Sequence, residues 1–287
     1  MQSLRAWLSG LPSGLHRRGE LRPLLFHLGL DDGADARAAY YQTLTRNLRM
    51  LARLDEILDR AEAEGLRLLP YKGAALAATV YPDVGTRPMA DLDLLVELSQ
   101  LTPATALLKQ LGFSEARPDV RRFSPRHAHD VALSDGVVYV ELHYGLFHEL
   151  ELDGAPGPIF DRAVSAQLGE RSRLVPSVED HVAILALHAA THAYADSPLW
   201  LVDLALLLEG ADRAAAAAEA SRRHGARAFT LALQLFEHPT LAALWMSTPP
   251  GRLRSLITRA GLVEGALPTA RWLGRKLLLT AHELWER

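Results

Sequence analysis

Arg87-Pro88-Met89-Ala90-Asp91-Leu92-Asp93-Leu94-Leu95-Val96 decides the reading of this chain. From Ala90 to Glu97 the residues alternate as a strand does, so Asp91 and Asp93 share one face while Leu92, Leu94 and Val96 share the other. At a rise of ~3.3 Å per residue, the two carboxylates stand ~6.6 Å apart along the strand. Bare, they repel each other. With divalent cations they converge, because paired Mg²⁺ ions in phosphoryl-transfer sites lie ~3.5–4 Å apart. A lone D-x-D also suits the solvated end of a strand, so its meaning depends on its neighbours.

Upstream, Leu66-Arg67-Leu68-Leu69 is an apolar run of strand length ending at Pro70-Tyr71. Lys72-Gly73 then opens an alanine-rich helix reaching about Tyr81, broken by Pro82-Asp83. Glycine at a strand-to-helix turn lets a backbone N–H approach a phosphate, and the helix N-terminus adds its dipole to the same anion. Lys72 supplies a mobile cation there. Arg87, four residues ahead of Asp91, carries a guanidinium suited to bidentate phosphate contact.

Downstream, Thr102 to Leu111 has helical period and is closed by Gly112. Val131–Ser134 and Val137–Leu142 are β-rich runs around Asp135-Gly136, a two-residue signal for a type I′ hairpin. On the second strand Tyr139, Glu141 and His143 share one face, and Val138, Val140 and Leu142 face the core. A glutamate in the middle of an apolar strand is costly unless it is paired or bound to metal. His127, His129 and Asp130, just ahead of the hairpin, read as polar connection, although they could face the same site.

The flanks are helical. Tyr41, Leu44, Leu48, Leu51, Leu54, Leu58 and Ala61 recur every three or four residues, which marks one face of a long helix stopped by Glu64-Gly65. Beyond Pro156-Gly157-Pro158 and Pro176 the chain becomes almost wholly helical. Ser177 with Asp180 resembles a capping box, Ser197-Pro198 starts another helix, and Trp272 to Trp285 forms a last amphipathic one. The fold class expected is α+β. A small mixed sheet with its helices occupies 65–165, between an N-terminal helical lead-in over 1–64 and a helical C-terminal domain over 176–287.

Composition bounds the function. The chain of 287 residues is 49% hydrophobic and 23% charged, which is globular, and its net charge of −3 gives no bulk attraction to nucleic acid or membrane. Arg121-Arg122 and Arg222-Arg223 read as solvated faces. Without cysteine there are no disulfides, thiolate zinc sites or cysteine nucleophiles, which fits the cytoplasm. No run approaches the ~18 apolar residues of a membrane span. His188 and His192 stand one helical turn apart, but Ala189 fills the place where a zinc peptidase carries its glutamate. They read as buried structural groups, hydrogen-bonded to Asp203, or as the lining of a cleft between domains.

Taken in order, Leu69-Pro70-Tyr71-Lys72-Gly73-Ala74-Ala75-Leu76, Tyr81, Arg87-x-x-x-Asp91-Leu92-Asp93, Val140-Glu141-Leu142-His143-Tyr144, His188-x-x-x-His192 and Trp200-Leu201-Val202-Asp203 resemble the uncharacterised nucleotidyltransferase family of the polymerase-β-like superfamily. The resemblance spans roughly residues 65–210. It implies that Asp91 and Asp93 bind Mg²⁺ or Mn²⁺ with Glu141 as third carboxylate, and that Lys72, Gly73, Arg87 and His143 contact a nucleoside triphosphate. The implied reaction moves a nucleoside monophosphate to a hydroxyl or phosphate on a small molecule or modified peptide. Two departures stand out: Ala74 follows Gly73 where many relatives carry serine, and Glu141 replaces the usual aspartate. They keep open a catalytically weak nucleotide-binding or regulatory protein, and beyond it a plain interaction module.

Overall fold

The computed structural model describes residues 2–11, 18–116, 129–147, 149–194, 197–238, 240, 258–265, 268–269 and 272–273. Arg121-Arg122, His127 and most of the Trp272–Trp285 helix lie outside the described residues.

The helices are α1 (Gln2–Ser9), α2 (Arg22–His27), α3 (Ala34–Ala63), α4 (Lys72–Thr79), α5 (Leu101–Gln110), α6 (Gly157–Asp161), α7 (Val178–Thr191), α8 (Leu199–Leu208), α9 (Arg213–Arg222) and α10 (Ala226–Glu237). The strands are β1 (Leu68–Pro70), β2 (Leu92–Val96), β3 (Ser114–Glu115), β4 (Asp130–Ser134), β5 (Tyr139–His143), β6 (Val164–Leu168) and β7 (Arg171–Val175). Five strands form one mixed sheet in the order β1-β2-β5-β4-β3, and β6-β7 is a separate hairpin. Only the β2–β5 pairing is parallel in the five-stranded sheet; its other pairs are antiparallel.

The sheet is covered on both faces. Leu92, Leu94, Val96, Val140 and Leu142 pack with Leu54, Ile57 and Leu58 of α3 and with Leu107 and Leu108 of α5. Leu69, Tyr71 and Leu95 belong instead to the apolar cluster of α7, α8 and α10. Leu4 and Leu8 of α1 and Leu24 and Leu25 of α2 join that second cluster, so the N-terminal lead-in serves the helical half of the molecule. β2 is therefore buried along its whole length, which is why an Asp within it needs partners.

Three local expectations shift. In α3 the buried positions are Ala36, Asn47, Met50, Leu51, Leu54, Ile57, Leu58 and Ala61, whereas Tyr41 and Leu48 are 56% and 54% exposed. At 3.6 residues per turn, the face anchored on Leu54 and Leu58 has rotated away from both. Asn47 comes inward because its amide donates to the carbonyls of Val84 and Arg87, pinning the loop that leads to Asp91. The β4–β5 turn has positive φ only at Gly136 (+89°), with Asp135 accepting from Val137 and Val138 N–H. That is a turn with glycine first in the central pair, not the type I′ form centred on Asp135-Gly136. The β6–β7 hairpin, which falls where no strand was expected, is held on α3 by Arg173 against Asp55 and Asp59. Ser177 does cap α7, accepting from the Asp180 N–H at 3.1 Å. Among the described residues, no helix is long and apolar enough to cross a membrane.

Candidate active site

The site grows from the β1–β2–β5 pairing. Pro70 pairs with Leu94, and the Tyr71 N–H donates to the Asp93 carbonyl at 3.2 Å, so the chain leaving β1 turns beside Asp93. Lys72 opens α4 with φ of +48°, a left-handed conformation that costs an L-residue roughly 1–2 kcal/mol. The tertiary contact that holds it is visible: Lys72 Nζ lies 3.0 Å from Asp93 Oδ1. Next in the chain, Gly73 allows a close approach. A Cβ there would sit 3.0 Å from Arg87 Nη1 and 3.3 Å from Met89 Cγ.

Across the parallel pairing Asp93 stands opposite Glu141. Two residues along β5, His143 Nε2 lies 2.9 Å from Asp93 Oδ1 and 3.3 Å from Glu141 Oε2. Asp93, Glu141 and His143 each offer a ligand atom within 4.8 Å of the others, a donor set that can hold a metal ion. Tyr71 packs edge-on against the His143 ring with centroids 5.4 Å apart, and the His129 ring also lies 5.4 Å from it. Asp91 is half-buried at the bend just ahead of β2, outside this tightest set.

The charges are unevenly settled. Burial alone would raise the Asp93 carboxyl, but the charge of Lys72 and the hydrogen bond from His143 hold it well below the carboxylate range. Lys72 is held up in turn: Asp93 outweighs its desolvation. His143 is also raised, because its bonds to Asp93 and Glu141 overcome burial and the repulsion of Lys72. The His143 hydrogen bond keeps Glu141 low. Asp91 is the exception, pushed up to about 6 by burial and then by the charges of Asp93 and Glu141. The cluster thus carries more negative charge than Lys72 and His143 neutralise, which is the electrostatic setting a divalent cation relieves.

The cluster opens on a cleft of about 480 Å³ between the sheet and the helical half. Lys72, Gly73, Arg87, Asp91 and Asp93 line one wall, while Leu185, His188 and Ala189 of α7, His192 just past its end, and Leu199, Trp200 and Asp203 of α8 line the other. The size is that of a small-molecule site. His188 and His192 face this space with their rings 4.7 Å apart, and burial drives His188 strongly toward its neutral form. Neither is the partner of Asp203. Arg87 fills that place, Nε and Nη2 donating to the two carboxylate oxygens at 2.8 and 2.7 Å, with the Tyr81 hydroxyl donating at 2.7 Å. The arginine fork expected on a phosphate is therefore engaged inside the protein, because a carboxylate only 1% exposed demands a bidentate cation.

The sequence residues brought together are thus Lys72, Gly73, Arg87, Asp91, Asp93, Glu141 and His143. The supporting roles of Asn47 and Tyr71 were missed, and Asp203, expected to hold the histidines, holds Arg87 instead. Asp203 carried a signal: one acid within the apolar run Leu199–Leu208 calls for a buried cation from elsewhere in the chain.

The family model that matches this chain places it among transferases of nucleotidyl groups. The chain belongs to the uncharacterised nucleotidyltransferase family, whose model matches residues 33–240. Among solved structures, the antibiotic-resistance factor ANT(2'')-Ia in solution aligns at 16% identity and a TM-score of 0.48, over 67% of this chain and 98% of that one. ANT(2")-Ia in complex with adenylyl-2"-tobramycin aligns at 15% identity and a TM-score of 0.46, over 60% and 97%. No curated protein matches the chain.

Proposed function

We propose that Asp91, Asp93 and Glu141 form the reaction centre of a divalent-metal-dependent nucleotidyltransferase. The enzyme moves a nucleoside monophosphate from a nucleoside triphosphate to a hydroxyl or phosphate acceptor on a small molecule or modified peptide. The observation that carries this reading is the register of β2 on β5, which stands Asp93 against Glu141 with His143 in reach of both. The residues suit Mg²⁺ or Mn²⁺: Asp93 and Glu141 offer hard oxygen donors, and Asp91, raised first by burial and then by their charges, stands beside them. When bound, such an ion neutralises the triphosphate and makes an acceptor hydroxyl more acidic.

The chain's own groups supply the rest. Lys72 and the N-terminus of α4 lie where phosphate oxygens would be received, and Gly73 lets them approach the backbone. The acceptor oxygen bonds to the α-phosphorus, the bond from that phosphorus to the bridging oxygen breaks, and pyrophosphate leaves with the bonding pair. The acceptor proton passes to a carboxylate of the cluster. Glu141, opposite Asp93 on the neighbouring strand, stands where it can take that proton or hold the ion on the acceptor side. The net charge of −3 favours a small or peptidic acceptor over bulk nucleic acid.

One observation favours the weaker reading of a nucleotide-binding or regulatory protein. Lys72 and His143 both lie on Asp93 Oδ1, so the central carboxylate is already engaged from within. Melting curves with each NTP, with and without Mg²⁺, separate the possibilities. Ligand at ~100 times its dissociation constant adds about 2.7 kcal/mol of stability. A Mg²⁺-dependent shift lost in Asp91→Ala/Asp93→Ala, together with pyrophosphate release, supports the enzyme. A shift without pyrophosphate release across a panel of hydroxyl and phosphate acceptors supports the binding protein, and no shift sinks both.

A further inference from the structure

Arg87 is only 9% exposed, and one nitrogen of its guanidinium has no hydrogen bond among the described residues. Nε and Nη2 are fixed on the two oxygens of Asp203. Nη1 has no acceptor among the described residues and borders the cleft beside Gly73, close enough that a Cβ on that glycine would stand 3.0 Å away. Because the guanidinium is planar, fixing two of its nitrogens fixes the direction of the third. Asp203 is itself held by the Tyr81 hydroxyl at 2.7 Å, and the Arg87 carbonyl is held by Asn47 at 2.8 Å. The aim of Nη1 is thus set by a residue 116 positions further along the chain, on a helix of the opposite wall.

We propose that Asp203 and Tyr81 are positioning residues for nucleotide binding. They set the plane of Arg87 so that Nη1 presents its two N–H groups to the triphosphate at the Lys72-Gly73 end of the cleft. This rests on the nucleotidyl-transfer reading of the site, and it gives α8 a part in recognising the phosphates. A mere tie between the two halves of the molecule would use the same ion pair but would not require one nitrogen to be left facing the cleft.

The test is titration calorimetry on the full chain, with the Mg²⁺ complex of each NTP and with Mg²⁺-tripolyphosphate. The proteins are wild type, Arg87→Lys, Asp203→Asn, Tyr81→Phe and the double variant Arg87→Lys/Tyr81→Phe. Lysine keeps the charge but loses the fork, so Arg87→Lys should weaken binding about tenfold. Asp203→Asn should match it, and Tyr81→Phe should weaken binding about threefold, with tripolyphosphate affected as much as NTP. In the Arg87→Lys background, Tyr81→Phe should add nothing, because its effect travels only through the fork. Unchanged affinity in Tyr81→Phe beside a weakened Arg87→Lys, or losses that multiply in the double variant, overturn the proposal. If Asp203→Asn fails to fold, the Tyr81 cycle decides alone. Wild type that binds neither ligand overturns the nucleotidyl-transfer reading beneath the proposal, an outcome visible without any variant.

Discussion

Asp91→Asn should make the metal-free protein more stable at neutral pH while removing its activity. The reasoning starts from a carboxyl moved from 3.8 to about 6 by burial and by the charges of Asp93 and Glu141. Each unit corresponds to about 1.4 kcal/mol, so ionised Asp91 costs the fold at most ~3 kcal/mol, and partial exposure brings this to ~1–3 kcal/mol. The sign follows from the direction of the shift. A carboxyl raised by folding contributes stability below its unfolded value, near 4, and loses it as pH rises through its folded value, near 6. The advantage of the asparagine variant should therefore be full at pH 7, shrink through pH 6 and vanish near pH 4. At roughly 2–4 °C per kcal/mol, the melting temperature rises by ~2–12 °C. The assay is thermal unfolding in EDTA across pH 4 to 7, repeated with saturating Mg²⁺, where wild type should gain and the variant should not. A variant no more stable than wild type at pH 7, or an advantage independent of pH, would refute the reasoning.

Asp93→Asn should abolish transfer and also destabilise the fold by ~3–5 kcal/mol in urea titrations, since it strands the buried Lys72 ammonium. Gly73→Ala drives a methyl against Arg87 Nη1 and should weaken Mg²⁺-NTP binding several-fold by calorimetry, with folding little changed. Ser177→Ala removes the α7 cap and the partner of Asp180, and should cost ~1 kcal/mol in urea unfolding. Its kcat should stay at the wild-type value.

What the sequence made legible was what depends on local pattern. The alternation over Leu92–Val96 and Tyr139–His143 assigned each side chain to the correct face, and Gly65 and Gly112 stopped their helices with φ of +70° and +90°. The carboxylates, Lys72 and Gly73 were readable because charge and glycine stand out in apolar surroundings. Long-range pairing was not. Nothing near Arg87 announces that its partner lies on α8, and nothing near Asn47 announces that it holds the Val84 and Arg87 carbonyls. The β6–β7 hairpin escaped because its strands keep few apolar residues and rely on Arg173 meeting acids of α3. Asp203 was singled out, but His188 and His192 were the wrong partners: periodicity sets them one turn apart and cannot show that they turn to the cleft.

The pairing of β2 with β5 has a practical consequence for anyone redesigning this protein. Asp93 and Glu141 meet because of strand alignment, and a slip of one residue would carry Glu141 to the other side of the sheet. The acidic centre therefore exists whole or not at all, and cannot be retuned in small steps. The wall made by Leu185, Ala189 and Leu199 sits on helices whose alignment the centre does not share. Libraries aimed at new acceptors belong on that wall, with the strands left untouched.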